Sequence, residues 1–214
     1  MAAQLRLRPG GRRSRNWNLG EEIKSIMRPM HFSAPFGIIG APETGRKTLA
    51  VRFSAMNADN LPRENSRTFF NSFHVRTVRP RDSRRPVTLH LKAFICPPGE
   101  SGGRWISTFD LEERANFCCF VFLFDVARRW TFRSAEVYMI LHGNVTTNFL
   151  VGNKCDLRLS VPQRRTVARE DIDEEVRRRR ITYYECSART KENVPSLLEA
   201  IQGCALQDRY MMTL

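Results

Sequence analysis

Long apolar runs are missing from this 214-residue chain. No stretch approaches the about eighteen residues a helix needs to span a bilayer, which excludes a helical membrane-spanning role. The six cysteines, Cys96, Cys118, Cys119, Cys155, Cys186 and Cys204, form no C-x-x-C pair and share no spacing, and no apolar secretory segment opens the chain. The expectation is a reduced compartment, no structural zinc and no secretion. Lysine is also scarce, with only five among 35 basic residues, and acids number 22. The resulting net charge of +13 points to an acidic or polyanionic partner, although an arginine-biased genome produces the same excess. The first twenty residues hold five arginines and no acid, the pattern of a mitochondrial transit peptide or of a basic surface arm. Both readings stay open, because Pro9, Gly10 and Gly11 break any amphipathic helix early. At 42% hydrophobic and 27% charged, the remainder has the composition of an ordinary globular domain.

Three segments follow from the pattern: a basic arm or targeting segment over residues 1–30, a domain over 31–206 and a short tail over 207–214. The arm has helical spacing only from Leu19 to Met27. Strands are predicted at Phe36 to Gly40, Phe69 to Val78, Val87 to Ile95, Phe117 to Asp125, Asn148 to Gly152 and Ile181 to Glu185. Helices are predicted at Gly45 to Met56, Thr131 to Leu141, Glu170 to Arg180 and Val194 to Leu206, the last with Asn193 as its N-cap. Strand alternating with helix gives an α/β domain whose six-stranded, mostly parallel sheet carries helices on both faces. The charged linker RPRDSRRP, joining the second and third strands, makes one antiparallel edge.

Two constellations carry chemistry. The first strand ends in GAPETGRKT, Gly40 to Thr48, and enters a helix, the context a phosphate-binding loop requires. There glycines let the backbone approach an anion and helix-start amides point at it. After Gly45, however, Arg46 stands where a lysine is expected and Lys47 where a magnesium-ligating hydroxyl is expected, with Thr48 one place late. Arginine lacks the compact ammonium, and lysine cannot ligate a cation. The second constellation is NKCD, Asn153 to Asp156, together with SAR, Ser187 to Arg189, each following a predicted strand. Those strand ends form the edge where open α/β sheets bind ligands. An aspartate there accepts hydrogen bonds from guanine N1 and N2, which adenine cannot donate, and an amide near Ala188 serves O6.

In this order the motifs resemble those of the Ras-like small GTPases, and specifically the Rab branch. FHVRTV, Phe73 to Val78, and Phe124 to Val126 followed by Thr131 and Phe132 resemble Rab strands and their flanks. The resemblance runs from residue 33 to about residue 205 and implies the P-loop GTPase fold, GTP or GDP as ligand and Mg2+ beside the phosphates. It also implies roles for residues on the phosphate side. Thr68 matches the switch threonine that reaches magnesium and the γ-phosphate, and Phe70 stands near it in place of a glycine. Gly99 matches the glycine whose amide faces the γ-phosphate. Cys96 replaces the aspartate of the magnesium shell, and Glu100 replaces the catalytic glutamine that orients water. A rival match, Ser107 to Arg114, lacks the glycine and lies too far from the third strand.

Guanine recognition is therefore expected to be intact, while metal binding, left to Thr48 and Thr68, and hydrolysis are expected to be impaired. The chain closes on DRYMMTL without a prenylation motif, so no lipid anchor is expected. Three readings of role follow: a pseudo-GTPase docking module in a larger assembly, an active switch in vesicle or ciliary traffic, and a subunit of a mitochondrial ribonucleoprotein. The location is accordingly mitochondrial or cytoplasmic. Arg177 to Arg180 end a helix that begins with acids, which suits a solvated helix dipole; the sharper reading is a patch for RNA or an acidic protein.

Overall fold

The computed structural model describes residues 30–56, 72–78, 87–96, 117–142, 147–160, 162 and 166–211. Its elements are β1 (Met30–Gly40), α1 (Arg46–Ala55), β2 (Ser72–Val78), β3 (Val87–Ile95), β4 (Cys119–Asp125), α2 (Arg129–His142), β5 (Asn148–Asn153), α3 (Arg169–Arg179), β6 (Thr182–Glu185) and α4 (Val194–Met211). A single 3-10 turn, Cys155–Leu157, follows β5. The six strands form one sheet in the order β2-β3-β1-β4-β5-β6. Only the β2–β3 pair is antiparallel, as the charged linker suggests. This α/β architecture is consistent with the Ras-like P-loop fold that the motifs imply. The predicted segment Leu19 to Met27 lies outside the described residues.

β4 explains why the strongest apolar run is central. All seven of its residues are buried. Cys119, Val121 and Leu123 join a cluster with Leu49 and Phe53 of α1 and Leu197, Leu198 and Ile201 of α4. Phe120, Phe122 and Phe124 join the opposite cluster, with Phe132 and Met139 of α2 and Ile172 of α3. A strand covered on both faces has no polar side to show, so alternation disappears from its sequence. No helix among the described residues is long and apolar enough to cross a membrane.

Most boundaries shift by one or two residues, and three features add to the expectation. β1 starts at Met30, because Met30 to Pro35 pair in parallel with Val87 to Lys92 of β3. Hydrogen-bonded partners extend the strand where His31, Ser33 and Pro35 hide its pattern. α4 continues to Met211, so part of the expected tail is helix. Asn193 adopts a left-handed φ of 56° and its side-chain amide donates to Glu185 O at 2.9 Å, holding the end of β6.

Gly37 admits the Phe120 ring. A Cβ there would lie 2.4 Å and 2.6 Å from two of its carbons. Phe120 in turn stacks on Phe117 at 5.3 Å between centroids, so the ring has little room to move. Gly37→Ala is expected to destabilise the fold by about 1–3 kcal/mol, seen as a lower urea midpoint at unchanged m-value. Adding Phe120→Leu should recover part of that loss, whereas additive losses would show that the ring is not what Gly37 accommodates.

Candidate functional site

The strand order reverses at β1, whose neighbours are β3 and β4. In open α/β sheets ligands bind at that reversal, outside the carboxyl ends of the strands. The loop from Gly40 to Gly45 lies there. A Cβ on Gly40 would fall 2.4 Å from Leu123 O, so β1 and β4 come together only around a glycine. Thr44 is buried and its hydroxyl donates to Ala41 O at 2.8 Å. Gly45 has φ +92°, and a Cβ on it would lie 2.5 Å from Asn153 Nδ2. Two constraints thus fix this glycine, backbone conformation and the approach of Asn153. α1 then begins with no side-chain cap and no acid in its first turn.

Asn153, at the end of β5, is the junction of the site. Its Nδ2 donates to Thr44 O at 2.8 Å and its Oδ1 accepts the Ala188 amide at 3.0 Å, with 1% of the residue exposed. The Ala188 N–H expected to serve a base oxygen is thus engaged within the protein. Lys154 has a left-handed φ of 64° and caps the 3-10 turn. Its ammonium donates to Glu43 O and to Asp125 Oδ2, each at 2.7 Å. Ser187 is fully buried; its hydroxyl accepts the Thr190 amide at 3.1 Å, and its own amide donates to Glu192 O at 3.0 Å. From α1, Arg52 Nε donates to Ala188 O at 2.8 Å. The structure therefore ties Thr44, Asn153 and Ala188 by hydrogen bonds, packs Gly45 against the Asn153 amide, and anchors Lys154 and Ser187 through bonds of their own.

Asp156 is the informative member. Its side chain is only 11% exposed, and Oδ2 pairs with Arg189 Nη2 at 2.9 Å. Oδ1 is buried and accepts no hydrogen bond among the described residues. A buried carboxylate oxygen left without a donor is costly, so Oδ1 is the acceptor on this side to which a ligand N–H can be matched. The N1–C2–N2 edge of guanine offers two parallel N–H donors, the same disposition as a guanidinium. The residues present on this side fit a guanine base.

The phosphate side differs. Arg46 donates through Nη1 to Cys96 O at the end of β3, and burial lowers its pKa. Lys47 and Thr48 are both exposed on the first turn of α1. Among the described residues no group of three or more His, Cys, Asp or Glu is placed to hold a metal ion. An ammonium at Lys47 and a thiol at Cys96 do not fit magnesium, a cation that takes oxygen ligands. Thr68, Gly99 and Glu100 lie outside the described residues.

Sequence reasoning assigned no role to Asp125, Glu43 or Arg128. Asp125 is 1% exposed, and its Oδ1 accepts the Ala127 amide at 2.9 Å while Oδ2 takes Lys154. Arg128 pairs with Glu43, whose carboxyl its hydrogen bond holds below the usual range. The available signal was a single carboxylate ending the most apolar strand. Nearby, Arg158 grips Glu185 through two nitrogens and also donates to Val167 O at 3.0 Å. Tyr183 donates to the same Glu185 at 2.6 Å, which fixes the strand end leading into Ser187.

Asn153→Ala should orphan the Ala188 amide and the Thr44 carbonyl at a cost of about 1–3 kcal/mol for each buried group. Hydrogen exchange at the Ala188 amide should accelerate far more than exchange in β4; unchanged protection there would show that Asn153 does not hold the loop.

The Ras family model matches residues 106–206 of the chain. The match supports a place in the Ras-like small GTPase superfamily and a GTPase-like nucleotide-binding protein. It takes in Asn153, Lys154, Asp156 and Ser187 to Arg189. No curated protein matches the chain.

Proposed function

We propose that this protein is a Rab-like guanine-nucleotide-binding protein that hydrolyses GTP poorly or not at all and serves as a docking module within a larger assembly. One observation carries the reading: Asp156 holds a buried, undonated carboxylate oxygen beside loops that Asn153 ties together. A base with two adjacent N–H donors answers that vacant acceptor, and adenine has none at the corresponding edge. Weak hydrolysis follows from residue chemistry. Phosphoryl transfer is catalysed by positioning and by charge, and Lys47 and Cys96 stand where oxygen donors are expected, with groups that do not suit magnesium.

The test is a panel of nucleotides titrated against the purified chain with and without EDTA. Guanine nucleotides should bind at least tenfold more tightly than adenine nucleotides, and Asp156→Asn should shift preference toward xanthine nucleotides. EDTA should change nucleotide release little. Equal guanine and adenine affinity would overturn base recognition; release accelerated by orders of magnitude would restore the magnesium-dependent reading.

Arg189 competes for the same carboxylate. Its side chain is 77% exposed, so the pair with Asp156 is open to solvent on one side and adds little stability. Arg189→Ala should tighten GDP binding and weaken its salt dependence, because the base then meets an unoccupied Oδ2. Weaker binding would assign Arg189 to the ligand instead.

A further inference from the structure

β1 and β4 lie side by side, yet the helices that follow them part. α1 packs with the cluster on one face of the sheet and α2 with the cluster on the other. The loops leaving two such strands are the lips of the crevice in which open α/β sheets take their ligands. Glu43 stands on the first lip and Arg128 on the second, and their side chains meet in an ion pair. The pair therefore bridges the crevice instead of bracing one wall of it.

Glu43 is an unexpected residue for this place. It is the one acid between Gly40 and Thr48, on the loop expected to face phosphates, where a carboxylate repels them. Its φ of 61° is a left-handed conformation that glycine adopts freely and a residue with a side chain seldom does. Lys154 holds the backbone there, its Nζ donating to Glu43 O at 2.7 Å. Strain of this kind gathers at ligand clamps.

Arg128 is the cation that Glu43 restrains. Of the other cations at the loop, Arg46 donates to Cys96 O and Lys154 to Asp125, a carboxylate 1% exposed, so both are anchored inside the protein. Arg128 is anchored less. Its Nε lies 3.7 Å from Asp125 Oδ2, an oxygen that Lys154 already takes at 2.7 Å, and its side chain is 44% exposed against 71% for Glu43. An ion pair so exposed is weak, and a polyanion entering the crevice competes with the carboxylate for the guanidinium.

We propose that Glu43 and Arg128 form a clasp across the crevice that sets how strongly the site responds to phosphate charge: Glu43 occupies Arg128, and a phosphate must displace the carboxylate to reach it. Resting on the nucleotide-binding reading above, this clasp is the phosphate-side determinant of the same site. With the clasp intact the two charges cancel, so added phosphates contribute little to affinity. Without Glu43, Arg128 is free to pair with them; without Arg128, Glu43 repels them. The two removals act in opposite directions, whereas a merely structural bridge would loosen the loops alike whichever partner is lost.

Guanosine, GDP, GTP and inorganic tripolyphosphate are titrated in EDTA against the whole chain and against Glu43→Gln, Arg128→Gln and the double variant. Glu43→Gln should tighten GTP and tripolyphosphate about threefold or more, and Arg128→Gln should weaken them by a similar factor, with GDP changed less. The double variant should fall between the two, guanosine should change by less than about twofold throughout, and salt at about 0.5 M should shrink the differences. Shifts of one sign in both single variants, no shift in either, or a shift in guanosine as large as in GTP would overturn the clasp. Tripolyphosphate separates this result from base recognition. Opposite shifts in its affinity, with no binding of guanosine, would leave the clasp standing and overturn the reading of Asp156.

Discussion

One buried amide, Asn153, fixes the geometry on which the rest of the site depends. It sits at the end of β5 and bonds to Thr44 O in the loop after β1 and to the Ala188 amide in the loop after β6. Three strand ends that are distant in sequence are thereby held by one side chain, in a setting with 1% exposure where a lost bond has no water to replace it. Gly45 is a consequence of this arrangement, since any side chain there would occupy the position of Asn153 Nδ2. Lys154 and Arg52 repeat the theme from either side, one reaching Glu43 O and Asp125, the other Ala188 O.

Much of the fold was legible because its elements obey simple periods. β3 has the bounds its apolar spacing predicts, and α1 falls within one residue of expectation at each end. β1 was only half visible, since parallel pairing with β3 holds residues that are neither apolar nor β-formers. In the site, NKCD and SAR were readable as motifs, and the structure joins them. The Glu43–Arg128 and Asp125–Lys154 pairs were not readable, because each links residues from separate loops and no local spacing announces them. Asn193 does more than its type announces: it stands at the cap position, its O accepting the Leu197 amide at 3.2 Å, and its side-chain amide also holds Glu185 O.

The arginine excess also takes a different meaning once partners are known. Of the run Arg177 to Arg180, Arg178 and Arg179 both bind Glu175, a carboxylate only 4% exposed, and Arg177 donates to Asp173 O on its own helix. A carboxylate so buried requires cationic hydrogen-bond donors, and two guanidinium groups supply them. The acidic start and basic end of α3 suit its dipole as well. Arg158 likewise serves Glu185, and Arg46 serves Cys96 O. Part of what composition reads as a polyanion-binding charge is therefore internal bonding, and less of it is left to attract a partner.

The site is uneven in a way that bears on switching. Its base side is buried, bonded and short of one donor at Asp156, whereas the first turn of α1 presents Lys47 and Thr48 to solvent. Nucleotide-dependent switching in this fold requires loops that contact the γ-phosphate and its metal in one state and lose them in the other. Two ligands that share a base and differ only at the phosphate end shift a conformational equilibrium only through contacts made at that end. If Asp156 and Asn153 supply most of the binding, GTP and GDP have nearly equal differential affinity for any two conformations, and neither moves the balance. A nucleotide held in that manner acts as a structural ligand. Its base would donate to Asp156 Oδ1 and stabilise the folded chain by mass action, whichever phosphate it carries.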